Sequence, residues 1–414
     1  MSLPSLTLLI AGLLLAGVQL LAALPWLSLV DRRGFRSTFT TAKGLSSVLG
    51  GLLAAGFAFA LYIGYLGEST RLQANGRYYY GGILHFQIAI DLIIGAMWAM
   101  LRLWPKGGAV ALAAFRESVR QPMFWLISGL ATSLIITSMV IPYFTFGEDY
   151  KMMKQLGFDT VMLAGVLFGL LSSSISIAEE IEGRTAITVM SKPISRRQFL
   201  LGKYFGILLA CAAMTLLLGW VLTLCLDIKS SSYFDKLDDI ADGMPLEVQQ
   251  LLTPALKNLT DDTQVAGFLT GVANWFGQTL AHHAGLLLSF GQVMVLLAIC
   301  TSLATRMPFV INLVICAAIF MMGHLAPVLV QVTSNLVGTS SSSPLQLVNF
   351  LAQLFNAVFP ALEYFDMGPA IIRDSSVPLT DFLKYLGAVF GYSVLYSAIA
   401  LLGGLLLFED KDLA

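Results

Sequence analysis

AEEIEGRTAITVMSKPISRRQFLLGK, residues 178–203, is a charged island set between two long apolar runs. It holds three acids (Glu179, Glu180, Glu182) and five bases (Arg184, Lys192, Arg196, Arg197, Lys203). The rest of the chain is apolar: of 414 residues, 57% are hydrophobic and 12% charged, and the mean hydropathy is +0.79. A soluble protein carries about 25% charged residues, so the chain reads as an integral membrane protein. A short loop with a basic excess between two spans is expected on the cytoplasmic side.

Working outward from that loop, a helix needs about 20 apolar residues to cross the hydrocarbon core. Runs of that size lie near 5–29, 45–65, 82–103, 123–144, 158–177, 200–226, 285–304, 308–332 and 381–407. The expected fold is therefore all-α and polytopic, with about nine transmembrane helices. The stretch 345–365 contains Gln346, Asn349, Gln353, Asn356 and Pro360. It suits an interfacial or re-entrant helix better than a tenth span. The first bases, Arg32, Arg33 and Arg36, follow the first apolar run. A cleaved signal peptide has the opposite layout, so 5–29 is expected to be a retained span.

With the N-terminus outside, the inside segments carry fifteen Lys and Arg and the outside segments nine. The bias predicts N-terminus out and C-terminus in. Two outside segments are large, 227–284 and 333–380. A break at 104–108 divides the chain into a three-helix portion, 1–104, and a six-helix portion, 105–414. After the break, Arg116, Glu117 and Arg120 alternate with apolar residues, which predicts an amphipathic helix over 109–121 lying in the membrane interface.

Several function classes are excluded. A net charge of −1 argues against nucleic acid as a partner. Cys211, Cys225, Cys300 and Cys316 all lie in apolar runs without a CxxC pair, so neither a disulfide framework nor a zinc site is expected. The histidines have no metal-ligand spacing, and His282 and His283, as helix neighbours, do not share a face. No metal or cofactor is expected to bind this chain. No paired catalytic groups occur at usable spacing, so the chain is not expected to be an enzyme. Gly202-Lys203 is followed by Tyr204, so it is not a Walker A loop.

Read as a whole, E-E-I-E-G-R-T at 179–185 followed by K-P-I-S-R-R-x-x-L-L-G-K-Y-x-G at 192–206 resembles the cytoplasmic loop of permease subunits of type-two ABC exporters. More narrowly, it resembles the branch linked to multi-copper enzyme maturation. FRESVRQ at 115–121, FPALEYFD at 359–366 and FEDKDL at 408–413 are similar to further stretches of that family. The resemblance covers about 109–414 and departs at 1–104, a three-helix extension without an assigned role. It implies a permease in the cell membrane, in a bacterium the inner membrane, paired with a second copy or a homologue. It also implies a separate ABC ATPase subunit that binds ATP-Mg and docks on the 178–197 loop. Glu179, Glu180 and Glu182 would receive basic groups of that partner. Gly183 would end a helical turn, Arg184 and Thr185 would follow it, and Pro193 would restart the chain. Arg196 and Arg197 would face anionic headgroups. An alternative function is a membrane anchor or mechanotransmitter that couples the ATPase to an extracytoplasmic protein without transport.

Within the spans, Asp91 is the candidate intramembrane polar site, because a carboxylate there is costly and often functional. Gly165-x-x-x-Gly169 allows close helix approach, at a helix contact or a dimer seam. Ser172, Ser173, Ser174 and Ser176 are expected to bond within their own helix or to line its mouth.

Overall fold

The computed structural model describes residues 4–141, 149–182, 194–231, 250–251, 254–255, 260, 262–339, 343–366, 368 and 378–409. Among these there is no strand. The chain forms two compact units, Met1–Trp98 with Gly219–His283 and Ala99–Leu218 with Ala284–Ala414. The division expected at 104 thus falls near the end of the first stretch. The structure adds Gly219–His283 to the N-terminal helices.

The first unit is built from α1 (Leu6–Val30), α2 (Arg32–Thr40), α3 (Ala42–Leu66), α4 (Ser69–Ala74) and most of α5 (Gly82–Leu103), the last two joined by a π-helical turn at Asn75–Gly81. Gly67, with φ +64°, stops α3 in a backbone conformation that suits glycine. α1 and α3 cross where Gly12 faces the Gly56 carbonyl and Gly56 faces Leu13, contacts that leave no room for a Cβ. Leu15, Ala60, Ile63, Leu72, Tyr80 and Phe268 share the buried core. The returning segment is fastened by polar contacts as well. Tyr80 donates to the Leu15 carbonyl at 2.9 Å, and Trp220 Nε1 donates to the Gly82 carbonyl at 2.9 Å. Arg77 Nη1 lies 3.1 Å from the fully buried Asp227 carboxylate.

The segment's last helix, α10 (Thr263–Leu303), is capped by Asp262. Asp262 Oδ1 accepts from the backbone N–H of Gln264 at 3.0 Å and of Val265 at 3.3 Å. Its Oδ2 accepts from Thr7 Oγ1 at 3.0 Å and Ser5 Oγ at 3.2 Å. Burial pushes this carboxyl up, but the donors from Thr7, Val265, Gln264 and Ser5 outweigh it and hold the group below its ordinary range. A depressed carboxyl stabilises the fold above its unfolded value of about 3.9, and that contribution is lost as pH falls through the folded value. Asp262→Ala is expected to cost about 1 kcal/mol of unfolding free energy at pH 7 and progressively less as pH falls below about 3.9. A denaturant titration across that range checks this.

The second unit contains α6 (Pro105–Arg120), α7 (Pro122–Ser138), α8 (Asp149–Glu182), the first part of α9 (Arg196–Ser231), the second part of α10, α11 (Phe309–Thr339), α12 (Ser343–Val358) and α13 (Leu379–Glu409). α6 and α7 meet at a 58° bend at Gln121. The bend has two causes in the sequence. Pro122 sits at the first helical position of α7, and a residue before proline is biased to extended backbone, which Gln121 adopts. Eight helices among the described residues are long and apolar enough to cross a membrane, or nine if α6 and α7 make one bent span. The expected polytopic all-α architecture is what the structure shows. The stretch 345–365 holds all but the first two residues of the 16-residue α12, and a 3₁₀ turn at Leu362–Phe365. At 1.5 Å per residue α12 reaches about 24 Å, short of the roughly 30 Å hydrocarbon core.

Gly165 and Gly169 of α8 face inward, toward Val293 and Leu297 of α10 and Thr215 and Cys211 of α9. The small-residue pair is therefore a helix contact inside the unit, which leaves it unavailable as a dimer seam. The four serines at the end of α8 differ from expectation too. Ser172 bonds Ser118 of α6 at 3.0 Å, Ser173 bonds Thr301 of α10 at 2.9 Å, and Ser174 accepts from Asn312 of α11 at 2.9 Å. Ser176 donates to Glu117 of α6 at 3.1 Å. Where no water competes, a hydroxyl finds its partner on the next helix. All four cysteines are buried and free.

Candidate functional site at the base of the charged loop

The loop itself, from Gly183 through Pro193 and including Arg184 and Thr185, lies outside the described residues. The side chains of Glu179 and Glu182, in the last turn of α8, do as well. What the structure describes is how the two ends of that loop are held.

On one side the centre is Lys203, in the first turns of α9, with a side chain only 5% exposed. Its Nζ donates to Glu180 Oε1 at 2.6 Å, Ser176 Oγ at 2.7 Å and Glu117 Oε2 at 3.1 Å. Three helices meet at this one ammonium: α6 through Glu117, α8 through Ser176 and Glu180, and α9 through Lys203 itself. A buried lysine is tolerated only when its charge and its three donors are satisfied. Here two carboxylates and a hydroxyl do so. Glu180, expected to await a partner's basic group, already holds a base of its own chain.

The approach of α6 that makes this possible is a matter of glycine. Gly202 of α9 faces Val110 and the Gly107 carbonyl, and Gly206 faces Ala114 and the Ala111 carbonyl, with no space for a Cβ at either. The two glycines lie four apart on one helix face, so α6 packs against α9 nearly backbone to backbone. Val110, Ala111, Ala114 and Ser118 form the buried side of α6, while Arg116 and Arg120 are exposed and Glu117 is partly so. The helix expected over 109–121 is thus present, begins earlier at Pro105, and presents an amphipathic arrangement to its own neighbours.

On the other side the anchor is the C-terminus of α13. Arg196 Nη1 donates to the carbonyls of Phe408 at 2.7 Å and Glu409 at 2.8 Å, with its guanidinium 5.6 Å from the Phe408 ring centroid. Arg197 pairs with the Glu409 carboxylate at 3.0 Å, and Arg306 Nε donates to the Leu407 carbonyl at 2.7 Å. The last carbonyls of a helix have no partner within it and carry a partial negative charge, so cations belong there. Arg196, expected with Arg197 at lipid headgroups, caps a helix of the same unit, while Arg197, 69% exposed, pairs with the Glu409 side chain. Phe408, Phe199, Leu200, Ile177 and Ala304 form a buried cluster beside them.

Sequence reasoning missed Lys203 as the convergence point and Glu117 as its partner. A signal was present. Glu117, Glu180 and Lys203 belong to three separate stretches that carry the family resemblance, and Phe408 and Glu409 belong to a fourth. Motifs far apart in sequence meet at the two ends of one loop.

The other candidates lie elsewhere. Asp91 sits in α5, half-buried, with Oδ1 enclosed and accepting no hydrogen bond among the described residues. His85 is buried and approaches His283, with their Nε2 atoms 3.3 Å apart. His282 faces Thr223 instead, at 3.3 Å, as adjacent helix positions require. Among the described residues no group of three or more His, Cys, Asp or Glu side chains could hold a metal ion.

Residues 118–239 match the family described as "ABC-2 family transporter protein". No curated protein and no solved structure matches the chain. The matched segment contains the end of α6, α7, α8, the charged loop and α9, so the anchors at Glu180, Arg196 and Lys203 fall inside it. The match supports an ABC-2 type permease, a transmembrane subunit of an ABC transporter.

Proposed function

We propose that this chain is the membrane subunit of an ATP-driven exporter, working as a dimer in a cell membrane with a separate ATPase that binds ATP-Mg and docks on the 178–197 loop. The observation that carries the reading is the family match over 118–239 centred on a loop whose two ends are tied into the helical bundle. α8 and α9 are 34 and 36 residues long, about 51 and 54 Å. Both exceed the roughly 30 Å hydrocarbon core, so a load applied at the loop reaches the membrane through rigid helices. The Lys203 cluster passes the same displacement to α6, and the arginine cap passes it to α13. ATP binding would close the two ATPase subunits, and the tied helices would turn as bodies. The orientation follows the Lys and Arg distribution, with the loop and the C-terminus cytoplasmic.

Glu180 and Arg196 hold the fold, so reversing their charges tests folding rather than docking. The clean test reverses Arg184 and Lys192 in the full-length chain. A tagged chain extracted in mild detergent is expected to bring down a protein with a Walker motif in near-stoichiometric amount. Arg184→Glu with Lys192→Glu is expected to reduce that recovery at least tenfold with the elution profile of the chain unchanged. Undiminished recovery by the variant overturns docking at this loop, and capture of no ATPase at all overturns the transporter reading. Cargo accumulation in vesicles separates export from force transmission to an extracytoplasmic protein.

A further inference from the structure

In the second unit, α8, α10, α11 and the turn after the 3₁₀ segment enclose a cavity of about 280 Å³. Its polar lining is Gln155 and Asp159 from α8, Ser289 and Gln292 from α10, His324 from α11, and Asp366. Inside a membrane bundle such a lining is costly unless water or a ligand satisfies it. The volume is several times the roughly 30 Å³ share of one water and close to the lower end, about 300 Å³, of small-molecule pockets.

The charges define what fits. Asp159 and Asp366 both keep open surface. Among the described residues neither lysine nor arginine lines the cavity. His324 donates from Nδ1 to the Phe320 carbonyl at 2.9 Å, and its Nε2 lies 3.3 Å from Gln292 Nε2. The described donors do not form a metal site. Asp366 is held in place: Phe365, 1% exposed, is wedged against Gly291, and Leu362 against Gly323. The backbone N–H of Gly368 donates to its Oδ1 at 2.8 Å.

Asp159 also stands in the wall of a second, apolar groove of about 310 Å³ between α7 and α8, lined by Leu130, Leu134, Leu163 and Leu167. A polar, acidic chamber and an apolar channel therefore share one carboxylate.

We infer that this pair of cavities binds an amphipathic organic cation, its ammonium group between Asp159 and Asp366 and its apolar portion along the α7–α8 groove. Gln155, Gln292 and Ser289 supply the remaining hydrogen bonds to the head. The inference rests on the permease reading for its purpose, as the class of cargo, but its geometry stands apart from the charged loop.

The test is equilibrium binding to the full-length chain in lipid nanodiscs, with empty nanodiscs subtracted. Decylammonium, decanol and decanoate share a tail and differ in the head. Decylammonium is expected to bind at least tenfold more tightly than either, and at least tenfold more tightly than methylammonium. Asp159→Asn and Asp366→Asn, at exposed positions that fold around either side chain, are each expected to weaken decylammonium at least tenfold and leave decanol unchanged. Equal binding of the three decyl compounds overturns the inference, as does undiminished decylammonium binding by both variants. Methylammonium binding as tightly as decylammonium removes the groove from the site. Since no ATPase takes part, failure here leaves capture of the partner at the loop untouched. Failure of that capture with selective decylammonium binding intact refutes the exporter alone.

Discussion

Lys203→Met is expected to cost about 3 kcal/mol, the low end of the range for breaking a buried ion pair by removing one partner. The Lys203 side chain is 5% exposed, and the substitution takes its ammonium from Glu180, 26% exposed, and from Glu117, 43% exposed, both of which lie beside Ser176. Glu117 can turn to water, which keeps the cost from the upper end of that range. The loss is read from a denaturant titration of the full chain in micelles. The double variant Lys203→Met with Glu180→Gln also removes one of the two charges that Lys203 balanced, so it is expected to recover at least half of the loss. The difference between the cycle's corners measures the coupling of the pair. A single-variant loss below about 1 kcal/mol would mean that the ammonium behaves like a surface pair. Recovery of the ATPase is expected to fall with Lys203→Met even under conditions where the variant elutes as wild type, because the base of the loop is no longer tied to α6.

The second large effect lies in the first unit. Asp227 has no exposed side-chain surface and Arg77 only 15%, so Arg77→Met removes the Arg77 ion pair from a buried carboxylate. The expected cost is about 3–5 kcal/mol, read in the same titration. Arg77→Met with Asp227→Leu replaces the pair by apolar groups, a change that is often neutral in a buried site, and is expected to restore most of the stability. If the double variant is no better than the single one, the pair is not the contact that holds the returning segment to the π-helical turn.

The membrane class and the helical architecture were legible in the sequence because the bilayer dictates them. A span must be apolar for about 20 residues and must satisfy its backbone internally, which leaves helices as the solution. The apolar runs at 5–29, 45–65 and 381–407 accordingly correspond to α1, α3 and α13. The bend at Gln121 was readable in principle from Pro122, since proline acts on its own neighbour. The amphipathic helix before it was readable from the alternation of Arg116, Glu117 and Arg120 with apolar residues.

Partnership was not legible. The family resemblance implied Glu180 as a contact for a partner subunit and Arg196 and Arg197 as contacts for headgroups, and the structure gives each a contact within its own chain. The Lys203–Glu117 contact joins positions 86 apart, and Arg196 reaches carbonyls 212 and 213 residues away. Asp159 drew no notice, and Asp366 entered only as the end of the FPALEYFD stretch. The two matter together only where three helices and a turn bring them into one cavity. Likewise His85 and His283, 198 residues apart, meet at 3.3 Å, while the adjacent pair His282 and His283 separates.

The sequence by itself determined that this protein crosses a membrane several times as helices, and that one polar loop is set apart from the rest. Those properties follow from each segment's exchange with solvent and lipid, one segment at a time. Only the tertiary structure decided which charges are spent inside the bundle and which are left open, because satisfying a buried ammonium or a helix's last carbonyls takes groups from several helices at once. No single stretch of chain contains that information.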